Sequence, residues 1–473
     1  MKRKKEQVNR KDNKSLNNIS YIFIGLFVIL IVNIIKFVYV DSTNVVINSY
    51  NPRIEELEQN IVRGKILDTN KKVLAETMVD GDKSYRIYPY ENIFSHIVGY
   101  SHQGKTGIEA LVNYDLLKSN VGIIEKTVQS ISKKKSVGDN VVTTLDADLQ
   151  KKAYELLGNR KGAIVAIEPS TGKILCMVSK PDFNPNYIES NWTKLNNDEE
   201  NSPLLNKATH GLYPPGSTFK IVTALAFIRE NPGWKDYTYT CNGKDVFEGT
   251  TIHCYSKTKH GKENLEKAFK MSCNTAFAHI GTNLDMNNYR NVANDLLFDT
   301  LLPYPLHFRT SRFKLSEESA VKEIAETAIG QGETEVTPFH NALITSAIAN
   351  GGILMKPYLI DSVENANGKL ITKNLPEFYS ELMSVEEAGI IKEFMKKVVS
   401  EGTGKTSAVQ GIDVAGKTGS AEVSGKKPHA WYVGFAPANN PQIAVSVIVE
   451  NSGTSTKYAA PIAKQLFELY INK

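Results

Sequence analysis

Apolar residues fill nearly every position from Ile19 to Ile35, and no charge occurs between Ser15 and Ile35. An unbroken run of this length predicts a helix that crosses a bilayer, with Lys36 just past it able to reach the far interface. A cleaved signal peptide needs small residues at its cleavage site, and Lys36-Phe-Val-Tyr-Val-Asp41 offers none. Residues 41 to about 140 are mixed and charged, with short strand-like runs such as Gly64-Lys-Ile-Leu-Asp68. They close on the basic, polar stretch Ser130-Ile-Ser-Lys-Lys-Lys-Ser136, a boundary before a larger domain. Four segments result: a tail over 1–18, a transmembrane anchor over 19–40, a module over 41–140 and a main domain over 141–473.

In the main domain the periods sharpen. Leu145, Leu149, Ala153 and Leu157 lie four apart and predict a helix. Gly162-Ala-Ile-Val-Ala-Ile-Glu168 and Lys173-Ile-Leu-Cys-Met-Val178 read as strands around the turn Pro169-Ser-Thr-Gly172. Helical patterns follow over 217–229, 264–283, 337–350 and 384–400. His429-Ala-Trp-Tyr-Val-Gly-Phe-Ala436 and Gln442-Ile-Ala-Val-Ser-Val-Ile-Val449 are strands, and an amphipathic helix covers roughly 459–471. Strands at both ends with helices between predict an α+β fold, an antiparallel sheet built from both termini and covered by helices.

The formal net charge of +5 changes little. Seven cations (Lys2, Arg3, Lys4, Lys5, Arg10, Lys11, Lys14) and two anions (Glu6, Asp12) before residue 15 account for all of it. The rest is balanced, so no nucleic-acid surface is implied. A basic flank before the span places the N-terminus in the cytoplasm and residues from about 41 onward outside. Four cysteines (Cys176, Cys241, Cys254, Cys273) do not make a disulfide framework in a chain of 473 residues. Cys241 and Cys254 flank a short Gly-containing segment and can form one disulfide or a local metal clip. His253 and His260 are nearby, but the spacing fits no common zinc pattern.

The chemistry gathers at Tyr213-Pro-Pro-Gly-Ser-Thr-Phe-Lys220, which runs into the apolar Ile221-Val-Thr-Ala-Leu-Ala-Phe227. Ser217 and Lys220, three apart at a helix start, share one face. An unprotonated lysine there is the base that a serine nucleophile needs. The helix dipole and the Ser217 N–H favour a developing oxyanion. The bland reading is an N-cap serine. Spacing alone decides nothing, because SxxK recurs at Ser130, Ser256, Ser311 and Ser424, SxN at Ser15, Ser42 and Ser49, and Lys-Thr-Gly at Lys105. Order and context do more. Ser272-Cys273-Asn274 precedes a small-residue helical segment, and Lys417-Thr418-Gly419-Ser420 precedes the terminal strands. On an edge strand Lys417 and Thr418 can hold a substrate carboxylate, and the Ser420 N–H can face the same oxyanion as Ser217. No metal or cofactor is called for.

Gly99-Tyr-Ser-His-Gln-Gly-Lys-Thr106 competes, since it satisfies the phosphate-loop pattern between a strand-like Ile93–Val98 and a helix-like Ile108–Val112. It lies on the outer side, where nucleotide is scarce, and no repeated βαβ pattern accompanies it.

With these motifs in order, the chain resembles a class B, monofunctional penicillin-binding protein, a D,D-transpeptidase of peptidoglycan. Tyr50-Asn-Pro-Arg53, Arg63-Gly-Lys-Ile-Leu-Asp68 and His96-Ile-Val-Gly-Tyr100 resemble that family's N-terminal module. Pro203-Leu-Leu-Asn206, the Ser217 segment, Ile329-Gly-Gln-Gly332, Val336-Thr-Pro338 and His429–Pro437 resemble its transpeptidase domain, with the short elongation or sporulation type most similar. The resemblance implies Ser217 as nucleophile, Lys220 as its base, Ser272 as proton relay to the leaving amine and Asn274 as the group that orients Lys220 and the substrate amide. It implies Lys417 and Thr418 at the terminal carboxylate of D-Ala-D-Ala, Gly419 beside them as a substrate-binding residue, and Ser420 completing the oxyanion hole. Cys273 stands where relatives often carry Asp or another polar residue. The same resemblance implies β-lactams as covalent ligands, stem peptides as substrates and a membrane glycosyltransferase as partner. The alternatives are a β-lactam-binding receptor or a β-lactamase of the same fold, which deacylation rates separate.

Overall fold

Strands that are apolar at every position have to be covered on both faces. Gly162–Ile167 is such a strand and Ile443–Val449 is one apart from Ser446, both buried throughout. They sit within a five-stranded sheet ordered Ala415–Val423, Lys426–Ala436, Ile443–Val449, Gly162–Ile167, Ile174–Lys180, in which every pair is antiparallel. Alternate residues serve alternate cores. Ala163, Val165, Ile167, Ala444 and Ile448 face the core that contains the helix Pro338–Ala349. Ile164, Ala166, Val445 and Val447 pack with the helices Ala147–Leu157 and Ala459–Ile471. This is the expected α+β arrangement, and the terminal helix falls where its apolar period put it. Pro338–Ala349 is buried along its whole length; Pro338 opens it and Thr337 caps it by accepting from the His340 N–H at 3.1 Å.

The computed structural model describes residues 2–36, 58, 60–81, 83–122 and 135–473. Residues 37–40 of the expected anchor, Tyr50–Arg53, and residues 130–134 of the expected boundary lie outside these. Lys2–Lys36 is one helix, and its 21-residue stretch Leu16–Lys36, with an 18-residue window of mean hydropathy 2.4, is long and apolar enough to cross a membrane.

A second, six-stranded sheet is ordered Leu370–Lys373, Ile360–Glu364, Asn140–Thr143, Ile66–Leu67, Val73–Asp80, Lys83–Ile87. It draws strands from both sides of residue 140. Beside it Glu109, with no exposed side-chain surface, accepts from Arg63 Nε at 2.8 Å and from Arg86 Nε at 2.7 Å. The two guanidinium groups hold its carboxyl below the usual range against the opposing effect of burial.

Two sequence expectations change. The strand-like segment 93–98 is helical, covered by Glu91–Phe94 and Ser95–Val98, so Gly99–Thr106 lacks the strand a phosphate loop follows. The helix expected over 264–283 is two, Leu265–Lys270 and Asn274–Thr282. Between them Ser272 adopts φ +57°, a left-handed conformation that costs a non-glycine residue about 1–3 kcal/mol. The break turns Ser272 and Asn274 toward two buried lysines.

Candidate active site

Ser217 lies in the turn Gly216–Phe219, which runs directly into the helix Lys220–Glu230. The turn is clamped against the edge strand Ala415–Val423. Gly216 has φ +55°, and a Cβ there would stand 2.9 Å from the Ser420 carbonyl carbon. Its N–H donates to Gly330 O at 2.7 Å, and a Cβ on Gly330 would come within 1.8 Å of Gly216 O. Both positions therefore need glycine. Trp431 Nε1 donates to Pro214 O at 3.0 Å and fixes the approach to the turn. Ser217 itself is half-buried, and its hydroxyl makes no hydrogen bond among the described residues.

Lys220 is wholly buried. Its Nζ donates to Ser272 O and to Asn274 Oδ1, both at 2.7 Å, and lies 3.3 Å from Ser272 Oγ. Asn274 is held in turn by donating from Nδ2 to His253 O at 2.9 Å. A neutral amine has two N–H groups, and these two acceptors consume both, which leaves its lone pair free to take a proton. Burial pulls the Lys220 amine down to about 8, against the opposing pull of Cys273, Cys254 and Glu263.

Lys417 is equally buried on the edge strand, 2.9 Å from Ser272 Oγ and 3.1 Å from Thr418 O. Burial first, and then the Lys220 charge, hold it well below its ordinary value. Of the two amines, Lys417 is the one pushed further from its ordinary value. Ser272 Oγ thus touches both amines. Gly419 is a second close approach of the strand to the serine turn: a Cβ there would meet Thr218 Cγ2 at 3.0 Å and Trp431 Cβ at 3.1 Å. Ser420 belongs to the same strand, and its carbonyl accepts from Gln331 Nε2 at 3.4 Å.

The structure brings Lys220, Ser272, Asn274 and Lys417 into one hydrogen-bonded group, with Ser217, Thr418, Gly419 and Ser420 along its rim. Sequence reading missed Thr403, whose hydroxyl lies 2.6 Å from Thr418 Oγ1. The signal was available in Gly402-Thr403-Gly404, a threonine between two glycines. It also missed the rings of Phe277 and Phe269, whose centroids lie 5.4 Å from Lys220 Nζ and 5.6 Å from Lys417 Nζ.

A second cluster lies directly behind the Ser272–Asn274 turn. Cys241, Cys254, His260 and Cys273 bring their donor atoms within 4.8 Å of one another. Cys254 Sγ is 3.6 Å from Cys241 Sγ and 3.7 Å from Cys273 Sγ, and His260 Nδ1 is 3.4 Å from Cys241 Sγ. The thiols are unbonded. Tetrahedral zinc, with Zn–S of about 2.3 Å and Zn–N of about 2.0–2.1 Å, has S···S edges of about 3.8 Å and S···N edges of about 3.6 Å. The donor set and its dimensions fit such an ion. Local spacing did not reveal it, because the fourth donor is the middle residue of the Ser272–Asn274 motif.

Comparison with known proteins gives a consistent picture. The family model described as the penicillin binding protein transpeptidase domain matches residues 162–468, and one described as the penicillin binding protein A dimerisation domain matches residues 63–141. The peptidoglycan D,D-transpeptidase PbpA of Mycolicibacterium smegmatis is 30% identical, over 96% of this chain and 98% of its own. Stage V sporulation protein D of Bacillus subtilis is 30% identical, over 81% of this chain and 62% of its own. The imipenem acyl-enzyme of penicillin-binding protein A from M. tuberculosis superposes with a TM-score of 0.80 at 30% identity, covering 88% of this chain and 99% of that one.

Proposed function

The chain belongs to the penicillin-binding protein transpeptidase family, and from that premise we infer how it works as a peptidoglycan D,D-transpeptidase that also binds penicillin covalently. Ser217 Oγ attacks the carbonyl carbon of the penultimate D-Ala and passes its proton to Lys220 Nζ. The tetrahedral intermediate collapses, the C–N bond breaks, and the released D-Ala nitrogen takes its proton through Ser272 Oγ. An acceptor amine then attacks the Ser217 ester, which forms the cross-link and restores the serine. Lys417, Thr418 and Gly419 hold the terminal carboxylate, and the N–H groups of Ser217 and Ser420 face the oxyanion.

The observation that carries this reading is the position of Ser272 Oγ between two buried amines. Two amines this close do not both hold a charge at neutral pH. A carboxylate arriving at Lys417 favours the proton there, and Ser272 Oγ connects it to Lys220, which is left neutral as the base. Substrate binding thereby arms the catalyst. The cation Cys241, Cys254, His260 and Cys273 are built to hold would have a structural role: it would anchor Cys273 and, with it, the strained turn that aims Ser272 and Asn274.

The apolar helix anchors the protein in the membrane, with the basic tail cytoplasmic and the catalytic domain outside. The junction of module and catalytic domain falls near residue 140, inside the shared sheet. A membrane glycosyltransferase supplies the glycan strands, met through the anchor and the module. The test is intact-mass analysis of the full-length chain with penicillin. One adduct per chain, mapped to the peptide containing Ser217 and absent from Ser217→Ala, is the expected result; an adduct that survives the substitution refutes the assignment.

A further inference from the structure

One large cavity, about 890 Å³, opens beside the serine turn and is outside the machinery described above. Its walls include Leu212 and Tyr213, which lead into the Ser217 turn, and Val423 and Lys426, which end the edge strand and begin the next. The cavity therefore lies at the Val423 end of the edge strand, the end away from Lys417. From Ser420 to Val423 the strand advances three residues, about 10 Å at a strand's rise. An extended donor peptide whose terminal carboxylate sits at Lys417 and whose scissile carbonyl sits at Ser420 brings the residues before its D-Ala-D-Ala end to this cavity.

The chemistry of the walls is one-sided. Lys207, Arg309, Arg312 and Lys426 are permanent cations, against Glu335 and Glu450. Glu450 is already engaged: its Oε1 accepts from Lys207 Nζ at 2.6 Å and from the Tyr213 hydroxyl at 2.7 Å. Arg309, Arg312 and Lys426 enter no ion pair among the described residues. Their side chains are exposed to the opening, while their positions are fixed from the main chain. Arg309 N donates to Thr209 O at 2.9 Å, and Arg312 exchanges main-chain hydrogen bonds with Glu335 at 2.8 and 3.1 Å. Three unpaired cations face a single unpaired carboxylate in a cavity that opens along the substrate's path. Guanidinium groups favour planar anions, above all carboxylates.

We propose that this cavity is a subsite for a free carboxylate on the donor stem peptide, carried by the residues that precede its D-Ala-D-Ala end. The proposal rests on the transpeptidase reading and adds a substrate preference to it: the enzyme selects acidic donors over amidated ones.

The test uses the full-length chain in detergent and measures D-Ala release from synthetic donors. One donor has its carboxylate on the residue directly before D-Ala-D-Ala, one has it a residue earlier, and each has an isosteric amide control. At low salt one of the acidic donors is expected to show a KM about tenfold below its amide, with similar kcat, and the position that does so identifies the source of the carboxylate. The preference should shrink as salt is raised. It should fall within twofold of parity in the double variant Arg309→Gln/Arg312→Gln. Equal KM for acid and amide in both pairs, or a preference that survives the double variant, overturns the subsite. Covalent penicillin labelling of Ser217 is read in parallel. Labelling kept with no acid preference refutes only the subsite, whereas labelling lost in the native chain refutes the transpeptidase reading beneath it.

Discussion

Raising the pH from 7 to 9 is expected to accelerate penicillin acylation about tenfold. In the proposed mechanism the base is Lys220, whose burial lowers its amine from 10.5 to about 8. That displacement corresponds to about 3 kcal/mol against the charged form. The sign follows from the role: only the neutral amine accepts the Ser217 proton, so activity appears as the proton leaves. With a midpoint near 8, the neutral fraction is about 10% at pH 7 and about 90% at pH 9. The second-order labelling constant of a fluorescent penicillin, taken from pH 6.5 to 9.5, reports this midpoint for the free enzyme. The first-order constant at saturating penicillin reports the complex, in which the ligand carboxylate has drawn a proton to Lys417. Its midpoint should lie lower, because a charged Lys417 disfavours a second charge on Lys220. A flat profile, or a saturating midpoint above the free one, would refute the argument that the two amines share one proton through Ser272.

Two further outcomes follow from the same geometry. Gly419→Ala places a methyl group against Thr218 and Trp431 at about van der Waals limit or closer, and should slow penicillin labelling at least tenfold while melting within a few degrees of the native chain; unchanged labelling would show that the strand does not set the serine's position. The purified chain should contain one zinc per molecule by elemental analysis, and stripping it should lower the melting temperature by about 5 °C or more and slow labelling. Metal-free protein with a Cys241–Cys254 disulfide and full labelling would remove the ion from the site.

Much of the fold is legible in the chain because its strands and helices carry strong periods. Gly162–Ile167, Ile443–Val449 and the helices at 338–349 and 459–471 read clearly, since each has to bury one face or all of them. Segment 93–98 misled because a short apolar run has no distinguishable period, and the helix over 264–283 because its break is enforced by partners far away in sequence. Ser272 turns back to meet Lys220 and Lys417, and no local pattern announces that. Order along the chain was enough to nominate Ser217, Lys220, Ser272, Asn274 and Lys417. It was not enough for the thiol cluster. Cys241 meets His260 because Cys241 pairs with Gly261 across one ladder, and the hairpin Lys244–Phe247 with Thr250–His253 returns Cys254 to their side. Those contacts belong to the pairing of strands, which spacing does not encode.

The shared sheet has a mechanical meaning. Asn140–Thr143 is bonded on one side to Ile66–Leu67 and on the other to Ile360–Glu364, so segments nearly 300 residues apart in the chain are stitched along a common ladder. A displacement of the segment before residue 140 is therefore passed to the strand Ile360–Glu364 through main-chain hydrogen bonds.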